Sequence, residues 1–554
     1  MRTTIAELMD SSGVTFGTSG ARGLVSAMTD RVCFAYTDAF LQHLERENRA
    51  HPSMQVAVAG DLRSSTPRII RAITRAIVER GYEPVLCGRI PSPALALFGF
   101  KRRIPSIMVT GSHIPDDRNG IKFNAPDGEI LKDDETSIRM QHVAVPNCFD
   151  TQGMLNTHTE LPENDTAARE YVRRYTEAFP DRLLEGKDIG LYAHSAVGKN
   201  LLHEILESIG AKVTRIADSD VFIPVDTEAI RPEDVTLALQ SAAEQKLDAI
   251  VSTDGDGDRP LISDERGRWL RGDIAGVLCA KQLGADVVVT PVTSNTVVEE
   301  CGYFEQVVRT RIGSPYVIEA MTMLADRLHA SSTSSSMTSH GPESLPRSGP
   351  IPPTPSSMAE SSISTPDPYS VPPATSAYRS HSSLDSHAGR RRDKCVVGYE
   401  ANGGFLTATP INTPAGRLDP LPTRDAVIVH IAILWAMASS QNTISSLVAS
   451  LPPRFTWSDR LRNFPTEISH AKLREFDRGG FAMIADAFGS FGYATAVNWT
   501  DGMRVTFLDG NVVHIRASGN APELRCYTES SSDEEARYWN ARVMELAETW
   551  MNRS

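Results

Sequence analysis

The sequence predicts an α/β protein in which three consecutive α/β units are followed by a smaller mixed domain. Three observations predict it. Period-two and helix-period apolar runs alternate through most of the chain, the alternation restarts three times, and each round closes on a polar loop containing glycine. At 554 residues the chain also exceeds what a single hydrophobic core serves, so several domains are expected.

In the first unit, assigned to 1–150, residues 56–60 read as a strand, and 66–80 place Ile69, Ile70, Ile73 and Ile77 at helical spacing. Residues 84–87 turn apolar again, completing a βαβ pattern. A further strand over 106–109 runs straight into Thr110, Gly111, Ser112 and His113. Polar residues then stand at the carboxyl end of a strand, where open α/β sheets bind their ligands. The second unit, 151–267, repeats the pattern with a strand over 189–192, a helix over 201–209, a strand near Val213, and a strand over 249–252 that opens into Asp254. In the third, 268–445, the strand over 287–290, a helix near 295–300, a strand near Val307 and a helix over 315–328 precede a strand over 396–398 that opens into Glu400.

Inside this third unit, residues 331–393 are dominated by Ser, Pro and Thr with almost no apolar periodicity, and are expected to be a disordered insertion. Its place between a helix and the next strand puts it at the sheet end opposite the chemical loops. The apolar run 427–438 is too short to span a bilayer and reads as a buried helix. The last domain, 446–554, reads as α+β, with strands near 495–498, 503–507 and 512–516 and a terminal helix over 533–550.

Apolar residues at 41% and charged residues at 23% exclude collagen-like, membrane and wholly disordered classes. A net charge of -13 argues against general nucleic-acid binding, so an anionic ligand needs a local basic cluster. The seven cysteines are scattered without CxxC spacing, and residues 1–10 carry no apolar leader. Both features point to reduced thiols and a cytoplasmic location.

Five loops carry the chemistry. In TGSHIPDDRNGIK, residues 110–122, Ser112 stands in a glycine turn as an exposed hydroxyl able to take a phosphoryl group, with His113 and Lys122 to supply protons and positive charge. An ordinary Ser-Gly turn is the alternative reading. In DGDGDR, 254–259, Asp254, Asp256 and Asp258 alternate with small residues, so the backbone can curl and aim three carboxylates at one hard cation, for which Mg2+ fits. A calcium EF-hand counted from Asp254 reaches Glu265 at its twelfth position but puts Arg259 where a glycine is required, and its flanks read as strands. In GYEANGG, 398–404, Glu400 and Asn402 offer the acceptor and donor groups that sugar hydroxyls need. In RASGNAPELR, 516–525, Arg516, Ser518, Gly519, Asn520 and Arg525 offer the groups of a phosphate cradle, with a surface ion pair as the alternative reading of Arg516. FGTSGARG, 16–23, presents Arg22 from a glycine loop.

In this order the five segments resemble the α-D-phosphohexomutase family over nearly the whole chain, with 331–393 lacking a counterpart. The resemblance implies a heart-shaped protein of three related α/β domains and one α+β domain, with a central cleft lined by one loop from each. It implies a phosphoserine at Ser112, one Mg2+ held by Ser112, Asp254, Asp256 and Asp258, stabilisation of the moving phosphoryl by Arg22 and Arg259, and proton transfer by Lys122. Glu400 and Asn402 would hold the sugar and the 516–525 loop its distal phosphate. The implied reaction interconverts hexose 6-phosphate and hexose 1-phosphate through a hexose 1,6-bisphosphate. The partners are hexose phosphates, neither nucleic acid nor a membrane, and the expected state is a monomer or weak homodimer. Gly404 stands where several family members carry a histidine, which leaves acid/base work to His113 or Lys122. RIGSPY, 311–316, does not match a dedicated glucose enzyme, which leans the expectation to mannose over glucose or glucosamine. A non-catalytic sugar-phosphate binder is the alternative of a different class.

Overall fold

A computed structural model describes residues 2–17, 20–157, 160–336, 394–518 and 522–551. The chain divides into a main body, 1–327 with 394–554, and a second body, 328–393. Of the second, the described part is helical, the end of the helix Ser314–Ser336. The stretch expected to be disordered therefore begins too early at 331. Serine is a tolerable helix residue, and no glycine or proline interrupts before Gly341. Residues 337–393 lie outside the described residues.

The main body contains three sheets built on one plan. In the first, Gln55–Gly60 lies between Glu83–Leu86 and Ser106–Val109, parallel to both, and Ser106–Val109 then pairs antiparallel with Arg118–Ala125. In the second, Asp188–His194 lies between Lys212–Asp218 and Ala249–Thr253, again parallel, and Ala249–Thr253 pairs antiparallel with Pro260–Ile262. In the third, Val287–Pro291 lies between Gln306–Thr310 and Val396–Tyr399, which pairs antiparallel with Phe405–Thr407. Each time the third parallel strand reverses into an antiparallel partner, and the reversal is one of the sequence-predicted chemical loops. The central and third parallel strands of each sheet are nearly all buried because helices cover their faces, which explains their continuous apolar runs, whereas the outer strands Glu83–Leu86, Lys212–Asp218 and Gln306–Thr310 are largely half-buried or exposed.

The fourth sheet is antiparallel throughout, in the order Phe455–Arg462, Glu523–Ser530, Val512–Ala517, Met503–Phe507, Ala494–Asn498. It has its own core, centred on Phe476, Phe488, Phe491 and Trp550. Asn295 Nδ2 donates to Thr456 Oγ1 at 2.8 Å, and Arg454 Nε lies 2.7 Å from Glu529, beside the Thr296 hydroxyl. The apolar run read as a buried helix is Ala426–Ser440, buried over most of its length. Among the described residues no helix is long and apolar enough to cross a membrane.

Candidate functional site

The serine loop is shaped by a buried ion pair that no motif announces. Asp61 and Arg63 follow the strand Gln55–Gly60, and both side chains are fully buried. Asp61 Oδ2 accepts from the Thr110 hydroxyl at 2.9 Å and from Gly111 N–H at 3.3 Å. Arg63 donates from Nε to Asp61, from Nη1 to the carbonyls of Pro115 and Arg118, and from Nη2 to those of Ser112 and Ile114. All five N–H groups of the guanidinium are used. A Cβ at Gly111 would stand 2.7 Å from Arg63 Cζ, so glycine is required there. Ser112 itself is held at φ +53°, in the left-handed region a non-glycine residue occupies at a cost.

The DGDGDR loop folds its carboxylates together beneath that serine. Asp254, Asp256 and Asp258 are buried, and one oxygen from each lies within 4.8 Å of the others. The Ser112 hydroxyl donates to Asp254 Oδ2 at 2.5 Å, and Ser92 Oγ donates to Asp256 Oδ2 at 2.6 Å. Lys122, on the strand Arg118–Ala125, donates to Asp256 Oδ2 and Asp258 Oδ2, each at 2.6 Å. Among the described residues, Asp256 Oδ1 and Asp258 Oδ1 accept no hydrogen bond, and Arg259 Nε lies 3.8 Å from the second. Two buried carboxylate oxygens without hydrogen bonds, beside a third carboxylate and a hydroxyl, form a hard-oxygen donor set suited to Mg2+.

The charges at this cluster are mutually dependent. Burial, together with repulsion from Asp256 and Asp258, pushes Asp254 well above the usual carboxylate range. Burial acts in the same direction on Asp258, but Arg424, Lys122 and Arg259 outweigh it and hold that carboxyl below its ordinary value. Burial pulls the Lys122 ammonium down, and Asp256 and Asp258 more than restore it. Arg22 is pushed down to about 10 by burial and by Arg259 and Arg424, despite the attraction of Asp256 and Asp258. Arg259 donates from Nη1 to His113 Nδ1 at 3.1 Å, and the same nitrogen is 3.1 Å from Ser112 Oγ. Burial and Arg259 push His113 down to about 3, so its ring is neutral near pH 7 and Nδ1 is an acceptor.

The predicted site residues thus fall into two groups. Ser112, His113, Lys122, Arg22, Arg259 and the three aspartates come together in one cluster. Glu400 and Asn402 are buried, with Glu400 Oε2 paired to Arg424 and Asn402 Oδ1 accepting from Gly404 N–H. The sugar loop is therefore drawn to the metal loop, and it is Ala401 that faces the neighbouring cavity. That cavity, about 600 Å3, is lined by His113, Glu228, Arg271, Arg460 and Arg525. A second, about 690 Å3, is lined by Arg516, Ser518 and again Arg525, with Lys132, Arg139 and Arg311 from other parts of the chain. Gly519 and Asn520 lie outside the described residues. Among the described residues, the Nε groups of Arg516 and Arg525 are buried without a hydrogen bond, an arrangement suited to an anion.

Sequence reasoning missed Arg63, Arg424 and the cavity arginines Arg139, Arg271 and Arg460. Asp61 and Arg63 just after a strand were a usable signal for the first, and the TRD run before an apolar helix for the second.

Comparison with known proteins adds an independent line. Family models match three parts of the chain: phosphoglucomutase/phosphomannomutase alpha/beta/alpha domain I over residues 13–144, domain II over 169–267, and the C-terminal domain over 475–546. The chain is 38% identical to a phosphomannomutase of Salmonella muenchen, covering 96% of this chain and 95% of that protein. It is 36% identical to a phosphomannomutase of Sinorhizobium fredii (strain NBRC 101917 / NGR234), covering 97% and 100%. Its fold matches the crystal structure of a phosphoglucomutase/phosphomannomutase family protein from Burkholderia thailandensis with a TM-score of 0.63 at 16% identity, covering 96% and 97%.

Proposed function

This chain belongs to the α-D-phosphohexomutase family, and we propose that it is a magnesium-dependent phosphomannomutase in which Ser112 carries the phosphoryl group. The observation that carries the proposal is the Ser112 hydroxyl 2.5 Å from Asp254 inside a three-carboxylate cluster ringed by Lys122, Arg22 and Arg259. Mannose as the sugar is supported by the two full-length relatives named phosphomannomutase.

In this reading phospho-Ser112 gives its group to the free hydroxyl of a hexose phosphate, the bisphosphate turns over in the cavities beside the cluster, and its other phosphate returns to Ser112. Asp254, Asp256 and Asp258, with the serine, would hold Mg2+, and the ion would supply charge neutralisation to the transferring group. Arg22 and Arg259 add positive charge on the same side, and the buried setting strengthens each interaction. Of the two proton-transfer groups, His113 Nδ1 is 3.1 Å from the serine oxygen, and Lys122 reaches the cluster from the adjoining strand. Arg516, Ser518, Gly519, Asn520 and Arg525 grip the phosphate that is not reacting. Arg525, which lines both cavities, supports a substrate that bridges them.

The test is a coupled assay with mannose 1-phosphate, glucose 1-phosphate and glucosamine 1-phosphate, alongside intact-mass analysis of wild type and Ser112→Ala. Expected are fastest turnover with the mannose ester and a phosphoryl-sized adduct that maps to Ser112 and disappears in the variant. Full activity in Ser112→Ala would sink the mechanism. Asp256→Asn should lose normal magnesium dependence.

A further inference from the structure

One side chain joins the metal loop to the sugar loop and belongs to neither. Arg424 precedes the helix Ala426–Ser440. Its Nη2 lies 2.8 Å from Asp258 Oδ2 and its Nη1 3.0 Å from Glu400 Oε2, with the side chain only 3% exposed. The residues on either side are anchored separately. The Thr423 hydroxyl donates to Glu129 at 2.6 Å, and Asp425 caps the helix while accepting from the hydroxyls of Tyr171, at 2.6 Å, and Tyr175. Three consecutive residues therefore tie together parts of the chain that carry the serine loop, the metal loop and the sugar loop.

The consequences differ at the two ends of the guanidinium. At Asp258, Oδ2 receives both Arg424 and Lys122, at 2.8 and 2.6 Å, whereas Oδ1 takes no hydrogen bond and has only Arg259 Nε nearby, at 3.8 Å. Holding one oxygen of a carboxylate between two cations fixes the direction of the other, the service that outer partners perform for metal ligands. At Glu400, the same guanidinium fixes the rotamer of a carboxylate whose loop is otherwise a tight turn, closed by Glu400 N–H to Gly404 O at 3.0 Å. The turn is shaped around Arg424. A Cβ at Gly404 would stand 2.5 Å from Arg424 Cδ and 2.8 Å from its Cγ, so the arginine stem occupies the space any side chain at 404 would need.

We propose that Arg424 is a positioning residue that sets, through one guanidinium, the metal-facing oxygen of Asp258 and the carboxylate of Glu400, whose turn places Ala401 on the cavity wall, so that metal affinity and sugar affinity move together. Gly404 is its obligate partner. The sugar half of this inference rests on the mutase reading, whereas the metal half does not.

The test uses the purified full chain and two readouts, Mn2+ binding followed by the paramagnetic signal of the free ion, and kcat and KM for mannose 1-phosphate. Arg424→Met keeps the stem and removes both ion pairs. It should weaken Mn2+ about tenfold or more and raise KM by a similar factor, with a smaller fall in kcat. Arg424→Lys, a point charge without the fork, should recover only one of the two properties. Gly404→Ala should shift both in the same direction as Arg424→Met, by less, because its methyl group must displace the arginine stem. A folded Arg424→Met with Mn2+ affinity within about twofold of wild type overturns the proposal, and so does a rise in KM alone. If Arg424→Met does not fold, Gly404→Ala is judged by the same two criteria. Should wild type turn over none of the hexose phosphates, the mutase reading and the sugar half fall, while the Mn2+ shift still decides the metal half.

Discussion

Two buried arginines frame this site in opposite ways. Arg63 directs its donors to Asp61 and to four carbonyls between Ser112 and Arg118, so every hydrogen-bond partner lies within one α/β unit and all but one are backbone, while the face of its guanidinium packs 3.9 Å over the ring of Phe222 from the second unit. Arg424 spends its fork on two carboxylates, Asp258 and Glu400, which arrive from two different sheets. The first arrangement sets the shape of a loop. The second sets the distance between loops. Backbone carbonyls cannot be drawn away by a ligand, whereas carboxylates can, and the proposed function gives Asp258 a metal and Glu400 sugar hydroxyls to bind. On that proposal, the serine is built on a rigid mould and the metal and sugar groups on a side-chain bridge.

Removing the mould should cost most. Arg63→Met strands a buried Asp61 and four carbonyls, and breaking a buried ion pair from one side costs about 3–5 kcal/mol. Chemical unfolding should report a loss of that order, and phosphoryl incorporation at Ser112, followed by intact mass, should fall even at temperatures where the protein is folded. A variant that melts and labels like wild type would remove Arg63 from this account. A finer separation comes from two glycines with nearly equal clashes. A methyl group at Gly111 meets Arg63 at 2.7 Å and one at Gly404 meets Arg424 at 2.5 Å. Gly111→Ala should therefore lower stability by roughly 1–3 kcal/mol and slow labelling of Ser112. Gly404→Ala should change stability less while shifting KM. Matching profiles in the two variants would erase the distinction between mould and bridge.

The same contrast explains what could be read in the sequence. Ser112, the three aspartates and Lys122 were legible because each lies in a short contiguous run of chemistry-bearing residues and glycines behind an apolar strand. Arg63 and Arg424 were not, because each acts on partners far away in the chain, 49 residues from Arg63 to Ser112 and 24 from Arg424 back to Glu400. Glu400 was legible as a site residue but its partner was not, so its place against Arg424, away from the cavity wall, emerges only from the fold. The three parallel strand sets announced themselves by apolar runs. Phe455–Arg462 did not, because it is a largely solvated edge strand of polar residues. Thr466–Ala487 was obscured in a different way, by Gly479 and Gly480, with Gly480 at φ +63° breaking the helical backbone.

The smallest expected effect concerns the helix behind the bridge. His430 is fully buried in Ala426–Ser440, the helix that Asp425 caps directly after Arg424, and burial pushes its imidazolium down from 6.5 to about 4. A histidine kept neutral in the fold takes up a proton in the unfolded chain first. Between about pH 6.5 and pH 4 the unfolded state therefore binds more protons, and stability falls as pH drops through that window, with the full contribution present above it. Urea unfolding at pH 7 and pH 5 should differ, and His430→Leu should narrow the gap by roughly 1–2 kcal/mol. An unchanged gap would mean that His430 is not what makes this helix acid-sensitive.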